Sequence, residues 1–315
     1  MERKAIILGL KGTKLTLAEK ELIKKEKPWG IILFSRNIKS LLSLKYLIGD
    51  IKKLVNDKNY PILIDEEGGT VSRLSKIIDF TLFSQSFFGK FYKSDKKKFY
   101  KFYKTYINAV CDIFKYVGIN INTVPVLDIK RKSSYNIIGD RSFSYNHKIV
   151  TEIGKICINE YRINKIGTVM KHIPGLGLSK KDTHLYLPKI INKKKYLLNN
   201  DFIPFKKCNP FFAMTAHVIY SNYDSTNPVT QSEVIINNII RKHIGFKGIL
   251  ISDDISMKAL KYSLKMNTTK ALNAGCNLIL HCNGNIKEMN ELISIVPKID
   301  KLTQKKTSDF YNFLG

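Results

Sequence analysis

Short, continuously apolar runs recur along the whole chain and are separated by longer amphipathic segments. Most of these segments are rich in lysine and have helical spacing, such as SLLSLKYLIGDIKKLVND before the third run. Apolar runs without alternation are typical of strands buried on both faces of a parallel sheet. The pattern therefore predicts alternating strands and helices. The eight runs span residues 5–10, 29–35, 61–67, 121–129, 168–173, 211–218, 248–254 and 277–283.

Eight strand and helix units in roughly 300 residues match a (β/α)8 TIM barrel better than a doubly wound sheet with a second domain. The 315-residue chain contains no linker rich in Pro, Gly or Ser and no internal repeat. We therefore predict the α/β class, with a single (β/α)8 TIM barrel domain over residues 1–315 that ends in a polar tail after about residue 300.

The composition adds a strong positive charge, since 53 Lys and Arg stand against 26 Asp and Glu, for a net charge of +27. A field of this sign attracts nucleic acid, anionic lipid or an acidic small molecule. Only seven of the cations are arginines, although nucleic-acid-binding proteins usually rely on Arg for base and phosphate contacts. The lysine excess, together with abundant Ile and Asn, favours codon bias as its cause, and we expect no nucleic-acid partner.

The cysteines and the N-terminus bear on the compartment in which the protein acts. The five cysteines have none of the paired spacings of a zinc site or a disulfide framework, which favours a reducing compartment. The N-terminal apolar run of six residues is too short for a signal sequence, and no stretch approaches the roughly 18–20 apolar residues of a membrane span. We expect a cytoplasmic protein with no membrane partner, and nothing in the sequence indicates an obligate protein partner.

Titratable residues directly follow most of the apolar runs, at the positions where the strands are expected to end. In a (β/α)8 barrel the active site forms at the C-terminal ends of the strands. Any single aspartate there has a second interpretation as a helix N-cap, but so many such residues favour a site. They are Asp65, Glu66, Glu67, Asp128, Lys171, His172, His217, Asp253 and Asp254.

A loop with an aspartate and a histidine follows the fifth run. The segment KHIPGLG at 171–177 contains the Gly and Pro of a loop, and Asp182 and His184 lie two residues apart beyond it. If this part of the chain is extended, both side chains lie on one face. The carboxylate then orients the imidazole and stabilises its cation, as acid/base catalysis requires. A surface loop with an incidental histidine is the alternative.

The seventh run, in the segment GFKGILISDDISM, delivers the adjacent carboxylates of Asp253 and Asp254 to the predicted site. One of them is suited to be a nucleophile, a general base or a metal ligand, and the residues alone leave these roles open. Asp65 with Glu66 and Glu67 also suggests a metal site. No histidine lies at ligand spacing from them, so we expect no metal and no cofactor.

Five parts of the chain carry a family resemblance. The segments PILIDEEGGTVSRL, INTVPVLDI with IIGDRSF, VMKHIPGLG with DTHLYLP, MTAHVIY and GFKGILISDDISM together resemble glycoside hydrolase family 3. They are most similar to its bacterial cytoplasmic β-N-acetylhexosaminidases of cell-wall recycling. The resemblance runs in matching order from near residue 30 to near residue 283. It implies retaining exo-hydrolysis of terminal β-N-acetylglucosamine from a muropeptide-derived saccharide, such as GlcNAc-1,6-anhydroMurNAc with or without its peptide.

The resemblance also implies roles for individual residues. It makes Asp253 the nucleophile that forms a covalent glycosyl-enzyme, and His184 the acid/base, oriented by Asp182. Histidine suits this role because its reference pKa of ~6.5 lets it donate and accept a proton near neutral pH. His217 is either a satisfied residue of the pocket wall or a substrate contact. The substrate-binding residues that the resemblance implies are Asp65, Arg73, Arg141, Lys171 and His172.

Departures from the family pattern and competing activities qualify this prediction. Leu176 stands where the family commonly has His, and Thr70 where many members have Arg. Both bear on affinity and aglycone preference and not on the reaction class. The nearest alternative is a phosphorylase of the same family, in which phosphate attacks the glycosyl-enzyme. An aldolase with Lys171 as a Schiff-base lysine is more distant. Cys276 and Cys282 are expected in the core.

Overall fold

The computed structural model describes residues 2–131, 138–179 and 186–315. Its strands are β1 (Lys4–Gly9), β2 (Pro28–Leu33), β3 (Ile62–Ile64), β4 (Ile121–Asn122), β5 (Gly167–Ile173), β6 (Lys189–Ile190), β7 (Phe212–Thr215), β8 (Ile219–Tyr220), β9 (Ile249–Asp254) and β10 (Leu278–His281). Eight of these strands are parallel and close into a barrel in the order β1, β10, β9, β7, β5, β4, β3, β2. Two short strands, β6 and β8, pair in parallel outside it.

Helices connect the strands and cover the outside of the barrel. They are α1 (Leu17–Glu26), α2 (Leu41–Leu54), α3 (Gln85–Ser94), α4 (Lys96–Val117), α5 (His147–Ile163), α6 (Lys194–Asn199), α7 (Ile203–Lys207), α8 (Glu233–Ile235), α9 (Leu264–Ala274), α10 (Ile286–Ile295) and α11 (Lys301–Leu314). Helix α8 continues as a π-helical segment, Ile236–His243. Short 3-10 turns lie at Ser35–Asn37, Gly139–Arg141 and Val229–Gln231.

Local sequence explains where several helices begin and end. The side chains of Thr16, Ser84 and Asp95 each accept a backbone N–H in the first turn of α1, α3 and α4, as N-cap residues do. Helix α4 ends at Gly118, whose φ of 96° is in the left-handed region that glycine adopts without strain. The amphipathic segments between the apolar runs are thus helical, as their spacing predicts.

The barrel strands are buried on both faces. All seven residues of β5 and all six of β2 are buried, which agrees with the continuous apolar runs. The prediction of an α/β barrel is therefore confirmed. Two strands are much shorter than their runs, because in 61–67 and 121–129 the chain leaves the sheet early. The remainder of each run forms the rim that carries polar residues.

The last residues of the chain differ from the predicted polar tail. They form α11, in which Phe310 is fully buried and packs edge-on against Phe212 of β7. The hydroxyl of Thr307, one turn earlier, accepts a hydrogen bond from Trp29 Nε1 at 3.0 Å. The segment is polar in composition, but its few apolar side chains cover the bottom of the barrel.

None of the helices in the described part of the chain combines the length and apolar character of a membrane span.

Candidate active site

The carboxyl ends of the barrel strands surround a cavity of about 130 Å³. The six residues that the sequence assigned to catalysis by a nucleophile or to sugar binding line it, namely Asp65, Arg73, Arg141, Lys171, His172 and Asp253. They come from the ends of β5 and β9 and from the segments that follow β3 and β4, because the strand ends of a parallel barrel converge at one face. The other residues of the lining are Glu67, Val71, Met214, Leu280 and Cys282.

Lys171 on β5 contacts three polar side chains at the cavity. Its Nζ lies 2.6 Å from Glu67 Oε1 and 3.1 Å from Asp65 Oδ1, and donates to Thr123 Oγ1 at 2.9 Å. The side chain is buried, with 2% exposure. An ammonium group held by two carboxylates and a hydroxyl does not present a free amine, so this environment does not favour a Schiff-base lysine.

Glu67 pairs with two cations of the cavity lining, Arg141 and Lys171. Arg141 donates from Nε and Nη2 to its two carboxylate oxygens at 2.8 and 2.9 Å, a bidentate ion pair. Burial alone would raise the pKa of Glu67, but the charges of Arg141 and Lys171 outweigh it and lower the pKa to about 2. The sequence placed Glu67 at a strand end and suggested it as a metal ligand, but its ion pairs with Arg141 and Lys171 were not predicted. The sequence did contain one signal for them. Asp65 and Glu67 are two positions apart, which places both side chains on the same face of an extended chain.

Asp65 is tied in the same way from the end of β3. Arg73 Nη2 lies 3.3 Å from its Oδ2, and the hydroxyl of Thr123 donates to its Oδ1. Burial would raise the pKa of this carboxyl group, but Lys171 and Arg73 hold it well below its ordinary value. Asp65 is therefore an ionised carboxylate in the cavity lining.

Asp128 positions the histidine of the cavity wall. Its Oδ2 accepts the backbone N–H of His172 at 3.1 Å and lies 2.7 Å from His172 Nδ1, while its Oδ1 accepts the N–H of Leu176 at 2.6 Å. With Nδ1 held by a fully buried carboxylate, His172 has a fixed ring orientation. The sequence pattern placed Asp128 at a strand end, but its role in holding His172 was not predicted.

Asp253 and Asp254 at the end of β9 have different surroundings. Asp253 lines the cavity, and its Oδ1 accepts the N–H of Asp254 at 2.8 Å. The carboxylate of Asp254 instead accepts from the backbone and hydroxyl of Ser256 and from the N–H of Cys282. Burial acts to raise the pKa of Asp253, but His217 and His172 contribute to lowering it overall. Asp253 is thus an ionised carboxylate in the cavity lining that no Lys or Arg side chain binds within the described residues.

His217 lies behind Asp253 and is not part of the cavity lining. Its Nδ1 is 2.7 Å from Thr230 Oγ1, and its Nε2 lies 3.0 Å from the carbonyl oxygen of Asp254. Both ring nitrogens therefore have protein partners, and the side chain is fully buried. Of the two interpretations of His217, this geometry favours the satisfied residue of the pocket wall.

The two departures from the family pattern lie outside the cavity lining. Leu176 is buried at 1% exposure in the core. Thr70 donates its hydroxyl to Asp140 Oδ1 at 2.8 Å and its N–H to Oδ2 at 3.2 Å.

Cys276 is in the core as predicted, whereas Cys282 lines the cavity, which corrects the prediction that it is a core residue. Cys282 follows the end of β10, and its backbone N–H donates a hydrogen bond to Asp254 Oδ1.

The predicted acid/base pair, Asp182 and His184, lies outside the described residues.

Within residues 2–131, 138–179 and 186–315, no His, Cys, Asp or Glu side chains form a group of three suited to hold a metal ion.

A family model gives this fold and cavity their class. The chain matches the glycosyl hydrolase family 3 N-terminal domain over residues 1–310. It therefore belongs to glycosyl hydrolase family 3.

Individual relatives narrow the class. The beta-hexosaminidase of Haemophilus ducreyi is 32% identical over 320 residues, covering 97% of this chain and 91% of the relative. That of Actinobacillus pleuropneumoniae serotype 3 is 32% identical over 285 residues, covering 88% and 81%. The crystal structure of NagZ from Neisseria gonorrhoeae in complex with N-trifluoroacetyl-D-glucosamine matches with a TM-score of 0.87 at 26% identity, covering 100% of this chain and 90% of that chain. The predicted family and enzyme class, a glycoside hydrolase of the β-N-acetylhexosaminidase type, are confirmed.

Proposed function

We propose that this protein is a retaining exo-β-N-acetylglucosaminidase that removes terminal N-acetylglucosamine from muropeptide-derived saccharides. The observation that carries the proposal is the carboxylate of Asp253. It is ionised and lines the same cavity as the proposed sugar-binding residues Asp65, Arg73 and Arg141. A retaining glycosidase needs such a carboxylate to attack the anomeric carbon and form a covalent glycosyl-enzyme.

The size of the cavity supports exo-action. Its volume of about 130 Å³ is well below the roughly 300–1,000 Å³ of sites that enclose larger ligands. A pocket of this size suits one terminal sugar. Asp65 and Glu67 present carboxylate acceptors, and Arg73 and Arg141 present donors, so that hydroxyl and acetamido groups of one ring find partners.

The reaction proceeds in two displacements. Asp253 Oδ attacks the anomeric carbon, a bond from carbon to the carboxylate forms, and the bond to the aglycone oxygen breaks as that oxygen takes a proton. Water then attacks the same carbon, gives up a proton, and releases Asp253 as a carboxylate. The net change is one glycosidic bond hydrolysed with retention of the β configuration.

The proton donor and acceptor of this scheme is His184, oriented by Asp182. This assignment comes from the sequence resemblance, because both residues lie outside the described ranges.

The substrate and compartment follow from the same resemblance. The proposed aglycone, a 1,6-anhydro-N-acetylmuramic acid with or without peptide, carries carboxylates, and the net charge of +27 favours its recruitment.

All five cysteines are free thiols. This state supports action in a reducing compartment such as the cytoplasm.

Product analysis tests the proposal. Wild type is incubated with a chromogenic N-acetyl-β-glucosaminide with and without phosphate, and with GlcNAc-1,6-anhydroMurNAc, beside Asp253→Ala and His184→Ala. We expect free N-acetylglucosamine, first released as the β anomer by proton NMR, and little or no product from either variant. Sugar 1-phosphate would establish the phosphorylase instead. First release of the α anomer would contradict the retaining mechanism.

A further inference from the structure

Glu66 is a buried carboxyl group beside the cavity that the proposed reaction does not use. It lies between two residues of the cavity lining, Asp65 and Glu67, but is not part of that lining itself. Its exposure is 1%. A carboxyl group buried to this extent needs hydrogen-bond partners that justify its position.

The side chain and the backbone of Glu66 bind different parts of the molecule. Its Oε2 accepts the N–H of Arg73 at 2.7 Å and the N–H of Leu74 at 2.9 Å. Its own backbone is held by the side chain of Asn122 on β4, which accepts the N–H of Glu66 at 3.0 Å and donates to its carbonyl oxygen at 2.9 Å. Glu66 therefore joins β4 to the chain at residues 73–74.

The chain between these contacts is the rim turn, residues 65–74. It closes on itself through a hydrogen bond from the N–H of Glu67 to the carbonyl of Val71 at 2.9 Å. Gly68 has a φ of 74°, and a Cβ there would lie 2.3 Å from the carbonyl oxygen of Phe83, so the turn is tightly confined.

The rim turn supplies a large part of the cavity. Four of the eleven lining residues belong to it, namely Asp65, Glu67, Val71 and Arg73. Arg73 reaches Asp65 only because the turn returns to the strand end, and its Nε has no hydrogen-bond partner among the described residues. The position of this guanidinium group thus depends on the backbone of residues 73 and 74.

We propose that Glu66 is a positioning residue of the sugar-binding site. By accepting the N–H groups of Arg73 and Leu74, it fastens the returning end of the rim turn to β4 and sets where the Arg73 guanidinium group meets the sugar. Only the kinetic part of this inference rests on the proposed function, because the backbone anchoring is a property of the fold.

Glu66 also lines a small internal cavity. Its Oε1 and the hydroxyl of Tyr106 have no hydrogen-bond partner among the described residues. Both residues line an internal cavity of about 10 Å³, close to the volume that one water molecule requires. Burial raises the pKa of Glu66 above its ordinary value in spite of its backbone hydrogen bonds. With or without a proton on Oε1, the carboxyl group keeps Oε2 as the acceptor of the two N–H groups.

A glutamine has the same shape and the same acceptor, so it should replace Glu66. We expect Glu66→Gln to retain kcat/KM for a chromogenic N-acetyl-β-glucosaminide within about threefold, and Glu66→Ala to lose about a hundredfold, mainly through KM. Glu66→Asp, whose carboxyl group is one methylene short of the two N–H groups, should fall between them. Amide hydrogen exchange by NMR should show Arg73 and Leu74 protected in wild type and Glu66→Gln, and exposed in Glu66→Ala.

Glu19 provides the matched control. It is also 1% exposed and accepts two backbone N–H groups, from Lys11 and Thr16, but does not line the cavity. Glu19→Ala should lower the unfolding midpoint and leave KM within about threefold of wild type. The inference is overturned if Glu66→Ala changes KM no more than Glu19→Ala does, or if Glu66→Gln fails as badly as Glu66→Ala. An inactive wild type would refute the proposed function, and the exchange of Arg73 and Leu74 would still decide the anchoring.

Discussion

The two sides of the cavity differ in how their carboxylates are bonded. On the side of β3, β4 and β5, Asp65 and Glu67 are held by Lys171, Arg73 and Arg141 at 2.6 to 3.3 Å. On the side of β9, the carboxylate of the proposed nucleophile accepts one backbone N–H within the described residues. Groups that bind a sugar gain from being fixed, whereas a nucleophile needs a free lone pair at the reacting carbon.

The pair Asp253 and Asp254 repeats this contrast between neighbouring residues. Asp254 accepts hydrogen bonds from Ser256 and from the N–H of Cys282, and so joins β9 to the end of β10. Asp253 faces the cavity instead. Asp254 and the proposed nucleophile therefore differ in the hydrogen bonds that each side chain already makes.

The largest expected effect comes from removing the free carboxylate. Asp253→Asn keeps the shape of the side chain but cannot form the glycosyl-enzyme, so we expect kcat to fall by roughly 10⁴-fold. Thermal unfolding should change little, because the wild-type carboxylate makes few contacts. Initial rates with a chromogenic N-acetyl-β-glucosaminide and a melting curve measure both.

Asp254→Asn is the matched control for that variant. It should lower the unfolding midpoint more than Asp253→Asn does, because it weakens hydrogen bonds to charged acceptors worth about 1.5–3 kcal/mol, while kcat falls far less. Equal losses of activity in both variants would contradict the division of roles between the two aspartates.

The second effect concerns the fixed side of the cavity. Lys171→Met leaves Asp65 and Glu67 close together without the buried cation between them. Removing one partner of a buried ion pair costs about 3–5 kcal/mol, and we expect a loss of this size in the unfolding free energy measured with denaturant. An unchanged free energy would mean that solvent screens this network.

The third prediction uses the acidity of Glu67. Its pKa is lowered from 4.5 to about 2 in the folded state, so its ionised form contributes stability above pH 4.5. That contribution is lost as the pH falls through about 2, because the proton then binds the folded state as well. Unfolding free energies from pH 6 to 2 should therefore fall more steeply in wild type than in Glu67→Gln. Parallel curves would show that Arg141 and Lys171 do not stabilise the ionised form.

The smallest effect is expected at Thr70, on the rim but outside the cavity lining. Thr70→Arg places a guanidinium group beside Asp140, where the hydroxyl now donates at 2.8 Å. An exposed pair of this kind contributes about 0–1 kcal/mol. We expect a small rise in the unfolding midpoint and a KM within about twofold of wild type, whereas a large fall in KM would show that this position contacts the substrate.

The strand ends were predictable because burial and topology leave few places for polar residues. An apolar run that is interrupted at its end by Asp65 or Asp253 indicates both the strand and the rim of the barrel. The same logic placed Lys171 and His172 at the end of the fifth run, and the structure brings all four to one cavity. Their roles in the reaction stay predictions.

Partnerships across the barrel were not predictable in the same way. Glu67 and Arg141 are 74 positions apart, and Asp128 and His172 are 44 apart. No local pattern specifies which cation meets which carboxylate. Cys282 was expected in the core because it follows an apolar run, and only the bend after β10 turns it to the cavity. For α11, polar composition concealed the few apolar positions, such as Phe310, that hold it against the barrel.

The sequence by itself determined the alternation of strands and helices, the closed parallel barrel and the rim on which the polar residues lie. These properties follow from hydrophobic periodicity, which is written locally along the chain. The tertiary structure decided which of two adjacent aspartates faces the cavity, how Lys171 is shared between Asp65 and Glu67, and that Glu66 faces away from the cavity towards the backbone of the rim turn. Those outcomes depend on distances between residues far apart in the chain, which exist only once the barrel has closed.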